Sequence, residues 1–158
     1  MVNTWGSDTM IIIAFVDDNF GTMFNNRRQS QDVKVIERIL NSNKNAQWIY
    51  MSPYTAKLFK GIPNLTKVIV DDEMLDYASD YDLCVVEGQD LSDYTDKIRG
   101  VILYKWNRTY PHSKTFDLDL SGYTLMHSEE FEGHSHEKIT EELYLNTSLS
   151  GDISDEEK

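Results

Sequence analysis

Seven consecutive apolar residues, Met10 to Val16 (Met-Ile-Ile-Ile-Ala-Phe-Val), constrain the fold of this chain more than any other feature. The run does not alternate with polar residues and is rich in β-branched side chains, so it predicts a strand covered on both faces. Such a strand belongs in the middle of a mostly parallel sheet flanked by helices. It is far shorter than the ~20 apolar residues of a bilayer-spanning helix. It follows Asp8 rather than a basic stretch and has no small-residue cleavage site after it, so it does not read as a secretory leader. A soluble cytoplasmic protein that does not engage membranes is the expectation.

The segments that follow alternate between the two periodicities. After a loop from Asp17 to Gln29, with Gly21 and several Asn as turn formers, Val33, Ile36, Ile39 and Leu40 recur at helical spacing. They predict a helix over about Gln31–Asn41 with Ser30 as N-cap. Ala46–Met51 reads as a second strand, and Ser52-Pro53 as the N-cap and first-turn proline of a short helix through Phe59. Lys67–Val70, Asp82–Val86 and Val101–Trp106 read as further strands, with short helices around Met74–Ala78 and Ser92–Ile98 between them. Thr115–Leu118, Tyr123–His127 and Ile139–Leu145 look like closing strands. Strand–helix alternation followed by a β-rich end predicts an α/β fold, a mostly parallel central sheet with an antiparallel C-terminal edge and flanking helices.

Composition sets outer limits. The 158 residues are one domain's worth of chain, and 40% hydrophobic residues suffice for a core. We read 1–9 as a polar leader, 10–146 as the domain and 147–158 as an acidic flexible tail. Acidic residues outnumber basic ones 27 to 15, giving a net charge of −12, which argues against binding nucleic-acid phosphates through general electrostatics. The single Cys84 excludes an internal disulfide and a multi-cysteine zinc site. Lying in an apolar strand, it reads as a buried, inert thiol. Trp48 and Trp106, each in an expected strand, read as core or pocket-wall residues.

Several local words, in order, resemble dihydrofolate reductase. Ile12 to Gly21 (Ile-Ile-Ala-Phe-Val-Asp-Asp-Asn-Phe-Gly) is similar to that family's first strand and the loop after it. Met51-Ser52-Pro53-Tyr54-Thr55 stands where the family has Met-Gly-Arg-x-Thr, and Val85-Val86-Glu87-Gly88 where it has a strand ending in Gly-Gly. Phe116-Asp117, Ser121 to Leu125, Ser128 to Phe131 and the strand ending in Tyr144 resemble its closing strands. The resemblance spans roughly residues 10–146. The chain also resembles a group of short, uncharacterised bacterial proteins often labelled ribonuclease Z. That label implies a two-zinc phosphodiesterase with a His-x-His-x-Asp-His motif, which is absent here, so the reductase-like fold is the expectation we keep.

The resemblance assigns candidate roles. Asp32 matches the acidic residue that binds pterin and supports protonation during hydride transfer. Burial would raise its pKa towards neutrality; the alternative is a first-turn carboxylate placed on the helix dipole. Tyr104 and Trp106, on one strand face, would line the pterin pocket. Ser52, Thr55, Glu87 and Gly88 fall on the cofactor side. There the family's phosphate-gripping cation is replaced by Pro53, and Glu87 brings a carboxylate to the turn that approaches the pyrophosphate. Weak NADPH binding at most is expected. Arg27 and Arg28, the only adjacent basic pair, either hold an anionic ligand or sit exposed on the loop. His134 and His136 form a His-x-His pair whose rings would share one face of a strand and could meet a metal; without an evident third ligand, structural or exposed roles weigh more, and no metal site is assigned.

Three classes of function are therefore carried forward. The first is a reductase-like protein, either a degenerate NAD(P)H-dependent reductase or a binder of a small anionic or nucleotide-like ligand between the Asn25–Asp32 loop and the Val86–Asp90 turn. The second is a non-catalytic interaction protein with a protein partner on the same scaffold. The third, a metal-dependent nuclease, rests on the label and the His pair alone and is disfavoured.

Overall fold

A computed structural model describes residues 9–43, 45–63, 65–79 and 82–147. The leader over 1–9 and the tail over 147–158 lie, apart from Thr9 and Thr147, outside the described residues.

The apolar run becomes β1 (Met10–Val16), and its neighbours on both sides run parallel to it. Strands β4 (Ile49–Met51), β5 (Val68–Val70), β6 (Asp82–Val85) and β7 (Ile98–Lys105) complete the parallel part of the sheet. β9 (Tyr123–Phe131) and β10 (Ile139–Asn146) add an antiparallel edge. The seven strands lie in the order β5-β4-β6-β1-β7-β10-β9. Between β1 and β4 runs α1 (Val33–Ser42); α2 (Pro53–Ala56), continued by a 3-10 turn at Lys57–Phe59, follows β4, and α3 (Met74–Tyr77) follows β5. Ser92–Lys97 is a 3-10 turn before β7. No helix among the described residues is long and apolar enough to cross a membrane.

β1 divides the core by its own alternation. Ile12, Ala14 and Val16 pack with Cys84, Val101, Leu103, Met74 and Phe116 on one face. Ile13 and Phe15 pack with Val35, Ile36 and Ile39 of α1 and with Tyr104 and Trp106 on the other. The helix starts two residues later than the expected boundary because Asp32, not Ser30, is the N-cap, its carboxylate accepting from Lys34 N at 2.9 Å. With that frame Val35, Ile36 and Ile39 face the sheet, and Val33 is left 40% exposed. Ser52 and Pro53 open α2 as expected, Ser52 Oγ accepting from Thr55 N at 3.2 Å.

The segment read as a loop, 17–29, contains a hairpin instead: β2 (Gly21–Phe24) and β3 (Arg27–Arg28) pair across Asn25-Asn26. Both Asn have positive φ, 51° and 64°, which is what a tight two-residue hairpin loop demands and Asn tolerates. The hairpin also pairs with β8 (Lys114–Thr115), so this strand belongs to a separate three-stranded sheet rather than to the C-terminal edge. Trp48 precedes β4 and is 37% exposed, not a core residue.

Because Ile13 is fully buried between β1's neighbours and α1, Ile13→Ala should cost about 2–5 kcal/mol. A urea denaturation series in which the variant lost less than a tenth of that stability would mean that the strand is not central.

Candidate functional site

Two buried charge centres lie between the hairpin, the N-terminus of α1 and the loop joining β9 to β10. The first is Asp32. Its Oδ1 accepts from Lys34 N and His134 N, both at 2.9 Å. Its Oδ2 accepts from Ser135 N at 2.9 Å, Ser135 Oγ at 3.2 Å and His136 Nδ1 at 2.9 Å. The approach is close enough that a Cβ on Gly133 would stand 2.7 Å from Oδ2.

This corrects the expected electrostatics. Burial alone would raise the Asp32 pKa, but the donors from His134, His136, Ser135 and Lys34 outweigh it and hold the carboxyl well below the ordinary carboxylate range. A group so held cannot be a proton donor near neutrality.

His136 is buried, and its imidazole stacks on Trp106 with centroids 4.6 Å apart and planes at 22°. Its Nε2 lies 2.9 Å from Ser30 Oγ and 3.1 Å from Tyr110 Oη, and Tyr110 donates to Ser30 Oγ at 3.4 Å. An ionised carboxylate accepts only, so the proton between His136 and Asp32 sits on Nδ1, and in the neutral ring the single Nε2 lone pair accepts from one of the two hydroxyls at a time. The His-x-His pair is not on a strand: it lies in the β9–β10 loop, with His134 exposed and His136 turned inward.

The second centre is Glu87, in the turn after β6. Arg28 clasps it with both ends of its guanidinium, Nε to Oε2 at 2.9 Å and Nη2 to Oε1 at 3.0 Å. Thr55 Oγ1 adds a bond to Oε1 at 2.9 Å, and the Arg28 guanidinium lies 4.1 Å from the centroid of the Tyr54 ring. Arg28 N is in turn held by Tyr54 Oη at 3.0 Å. The hairpin, the turn after β6 and α2 are thus tied into one unit. Arg28 is engaged inside the protein, whereas Arg27 lies exposed on the rim of an open cavity with Phe24, Gln29 and Tyr110. The NADPH that the resemblance implies does not fit these residues: Pro53 offers no cation, and the turn that should admit a pyrophosphate is filled by a carboxylate with its own arginine.

Gly88, next to Glu87, has φ +87°, which favours glycine, and its carbonyl accepts from Lys114 Nζ at 3.3 Å. A cavity of 380 Å³ opens there, at the C-terminal ends of β1 and β6, between Ala14, Val86, Thr22, Lys114 and Asp117. Tyr104 does not reach a pocket. It is fully buried, its hydroxyl donates to Glu141 Oε2 at 2.7 Å, and burial together with that carboxylate pushes its pKa up. Burial likewise pushes the Cys84 thiol up to about 12, in keeping with an inert residue. His127, Glu129 and Glu141 converge, but Arg38 already bonds both carboxylates, to Glu129 at 2.7 Å and Glu141 at 3.2 Å.

Sequence reasoning singled out Asp32, Arg28 and Glu87 without their partners. It missed Ser30 except as a cap, and Tyr110 and Ser135 altogether. The one available signal was a Ser-flanked His in a short loop before an apolar strand, too weak to connect with Asp32.

A depressed native pKa fixes the sign of the pH dependence. Asp32 adds stability that is fully present above the unfolded-state carboxylate pKa of about 3.9 and is lost as pH falls through the folded value. Asp32→Asn should therefore be less stable than wild type at neutral pH, with the gap narrowing below about pH 4. Urea midpoints of the two proteins measured across that range check it; a constant gap would contradict the assignment.

No family model and no curated protein matches the chain. Among solved structures it is similar to dihydrofolate reductase from Enterococcus faecalis complexed with NADP(H) and RAB-propyl, at 11% identity and a TM-score of 0.60, over 88% of this chain and 96% of that chain. An identity that low speaks for the fold alone. The mostly parallel sheet with its antiparallel β7-β10-β9 edge is thus a dihydrofolate reductase-like α/β fold, as the sequence resemblance implied.

Proposed function

We propose that this chain is a dihydrofolate reductase-like protein that binds a small, negatively charged ligand and does not use NADPH for hydride transfer. The observation that carries this reading is the 380 Å³ cavity beside Gly88, which remains open while Arg28 and Glu87 close the adjoining cofactor turn. Open α/β sheets take ligands at the C-terminal ends of their parallel strands, where loops diverge. Lys114 spends one donor on Gly88 O and keeps two for an anion, with the Thr22 and Thr115 hydroxyls alongside. Asp90 and Asp117 on the same rim favour a ligand that also carries hydrogen-bond donors, such as a mononucleotide, over a bare anion.

Fluorescence titration with NADPH should give a dissociation constant in the millimolar range or weaker. Removing the closing pair with Arg28→Ala and Glu87→Gly together should strengthen it about tenfold or more. In parallel, titration with adenosine monophosphate followed by thermal shift should show stabilisation that Lys114→Ala reduces by about 10- to 100-fold in affinity, the worth of one charge-assisted bond. Micromolar NADPH binding by the wild type would overturn the reading, as would a mononucleotide response indifferent to Lys114.

A second reading, an interaction protein, is favoured by β9. This nine-residue strand is one edge of the sheet, and Leu125 and Met126 stand 47% and 57% exposed on it, at a break in its register with β10. An open edge of that length offers unpaired backbone groups to another chain. Light scattering should then show a mass that rises with protein concentration and falls back to the monomer in Met126→Lys; a mass fixed at the monomer would remove self-pairing from consideration.

A further inference from the structure

We infer that Ser30, His136 and Asp32 form a nucleophilic relay that supports transfer of a short acyl group from an ester through Ser30. This stands apart from the ligand cavity beside Gly88 and does not depend on it. The geometry is that of a serine nucleophile, its base and the base's orienting carboxylate: Ser30 Oγ to His136 Nε2 2.9 Å, and His136 Nδ1 to Asp32 Oδ2 2.9 Å. Each member has the state its role requires. Asp32 is ionised and acceptor-only, so it fixes the Nδ1–H tautomer and would stabilise an imidazolium. His136 is held in plane by the Trp106 ring, so Nε2 keeps its aim at Oγ. Ser30 is partly exposed, as a nucleophile must be, whereas its two partners are buried.

The clasp on the β9–β10 loop accounts for Asp32 but not for this arrangement. The backbone bonds of Asp32 to His134 and Ser135 already pin the loop, and the path from Nε2 to Ser30 adds a second connection to the segment before α1. Tyr110 Oη, 3.4 Å from Oγ and 3.1 Å from Nε2, carries a hydroxyl proton that is free to turn to an oxyanion once Nε2 has taken the proton of Ser30. Ser30 borders a crevice of only 10 Å³ walled by Phe15, Val35, Ile36, Leu58 and Trp106. With apolar walls and room for about one water, it leaves no space for an acyl chain longer than the methyl of an acetyl group. The leaving group would depart towards the open cavity of 550 Å³ lined by Arg27, by Gln29, the residue before Ser30, and by Tyr110, which donates to Ser30 Oγ.

In the reaction Ser30 Oγ bonds to the ester carbonyl carbon as its proton passes to His136 Nε2. The carbon–oxygen bond to the leaving group then breaks, and that oxygen takes the proton from Nε2. Water attacks the acyl-serine, giving its proton to Nε2, and collapse returns that proton to Ser30 Oγ and releases the carboxylic acid. No oxidant, metal or cofactor enters the balance.

The full-length protein should be incubated with 4-nitrophenyl acetate, with 4-nitrophenyl butyrate, and with a fluorophosphonate probe read by intact mass and peptide mapping. The expected result is one adduct, mapped to Ser30, and acetate hydrolysis that exceeds butyrate hydrolysis. Ser30→Ala should abolish both labelling and turnover. His136→Gln, with its fold verified by circular dichroism, should slow labelling by about 10²-fold or more, the ordinary worth of a general base. An unlabelled wild type, an adduct on another residue, or turnover unchanged in Ser30→Ala would overturn the proposal and leave the network as a structural clasp. The labelling site of the wild type decides the matter even if His136→Gln fails to fold.

Discussion

A carboxylate shut away from water must find its solvent in the protein, and Asp32 is the residue around which that requirement organises this molecule. Five donors meet its two oxygens: three backbone N–H groups, the Ser135 hydroxyl and the His136 ring. Each would be costly to lose, because an ionised group left short of donors in a low-dielectric interior pays most of its desolvation penalty. One side chain therefore caps α1, sets the frame in which Val35, Ile36 and Ile39 face the sheet, and fastens the β9–β10 loop 104 residues away. Gly133 stands at the point of closest approach, where a side chain would collide with the carboxylate.

The Arg28–Glu87 pair does for the hairpin what Asp32 does for the loop. Asp17 supports it from the other end, accepting from Gly21 N at 2.7 Å, Asn19 N at 2.9 Å, Tyr110 N at 3.0 Å and Gln29 Nε2 at 3.1 Å. The segment between β1 and α1 is consequently tied at Asp17, at Arg28 and at Asp32, three acidic or acid-binding positions within sixteen residues. A bidentate guanidinium–carboxylate contact has a fixed geometry, so this segment is held in register over the sheet's C-terminal end rather than merely attracted to it.

How much of this was legible in the sequence depended on how far apart the cooperating residues lie. β1 was legible because burial on both faces leaves a compositional mark, and Ser52-Pro53 because a cap and a first-turn proline act within one turn of helix. The β2–β3 hairpin was not, since strands of four and two residues are too short to show alternation, and only the two Asn marked it. Glu87 was read as a charge that would repel phosphate, because the arginine that neutralises it is 59 residues distant. The sign of the Asp32 shift failed for the same reason. Its burial was implied by the resemblance, whereas the His134, Ser135 and His136 donors that reverse the effect come from the far end of the chain.

The two core layers explain why the rim can carry these charged networks. Neither layer draws on Arg28, Glu87 or Asp32 for its apolar packing, so side chains at the rim can exchange partners while the sheet stays intact. The exception is Trp106, which belongs to the core and also stacks on His136, and so couples the rim to the rigid layer. The chemistry that results has a direction. A site that hands protons to a substrate needs its carboxyl neutral, and desolvation without donors would keep it so. Here the donors hold Asp32 ionised, and the group facing it is an imidazole that can gain a proton. A buried anion beside a base favours steps that create positive charge on that base.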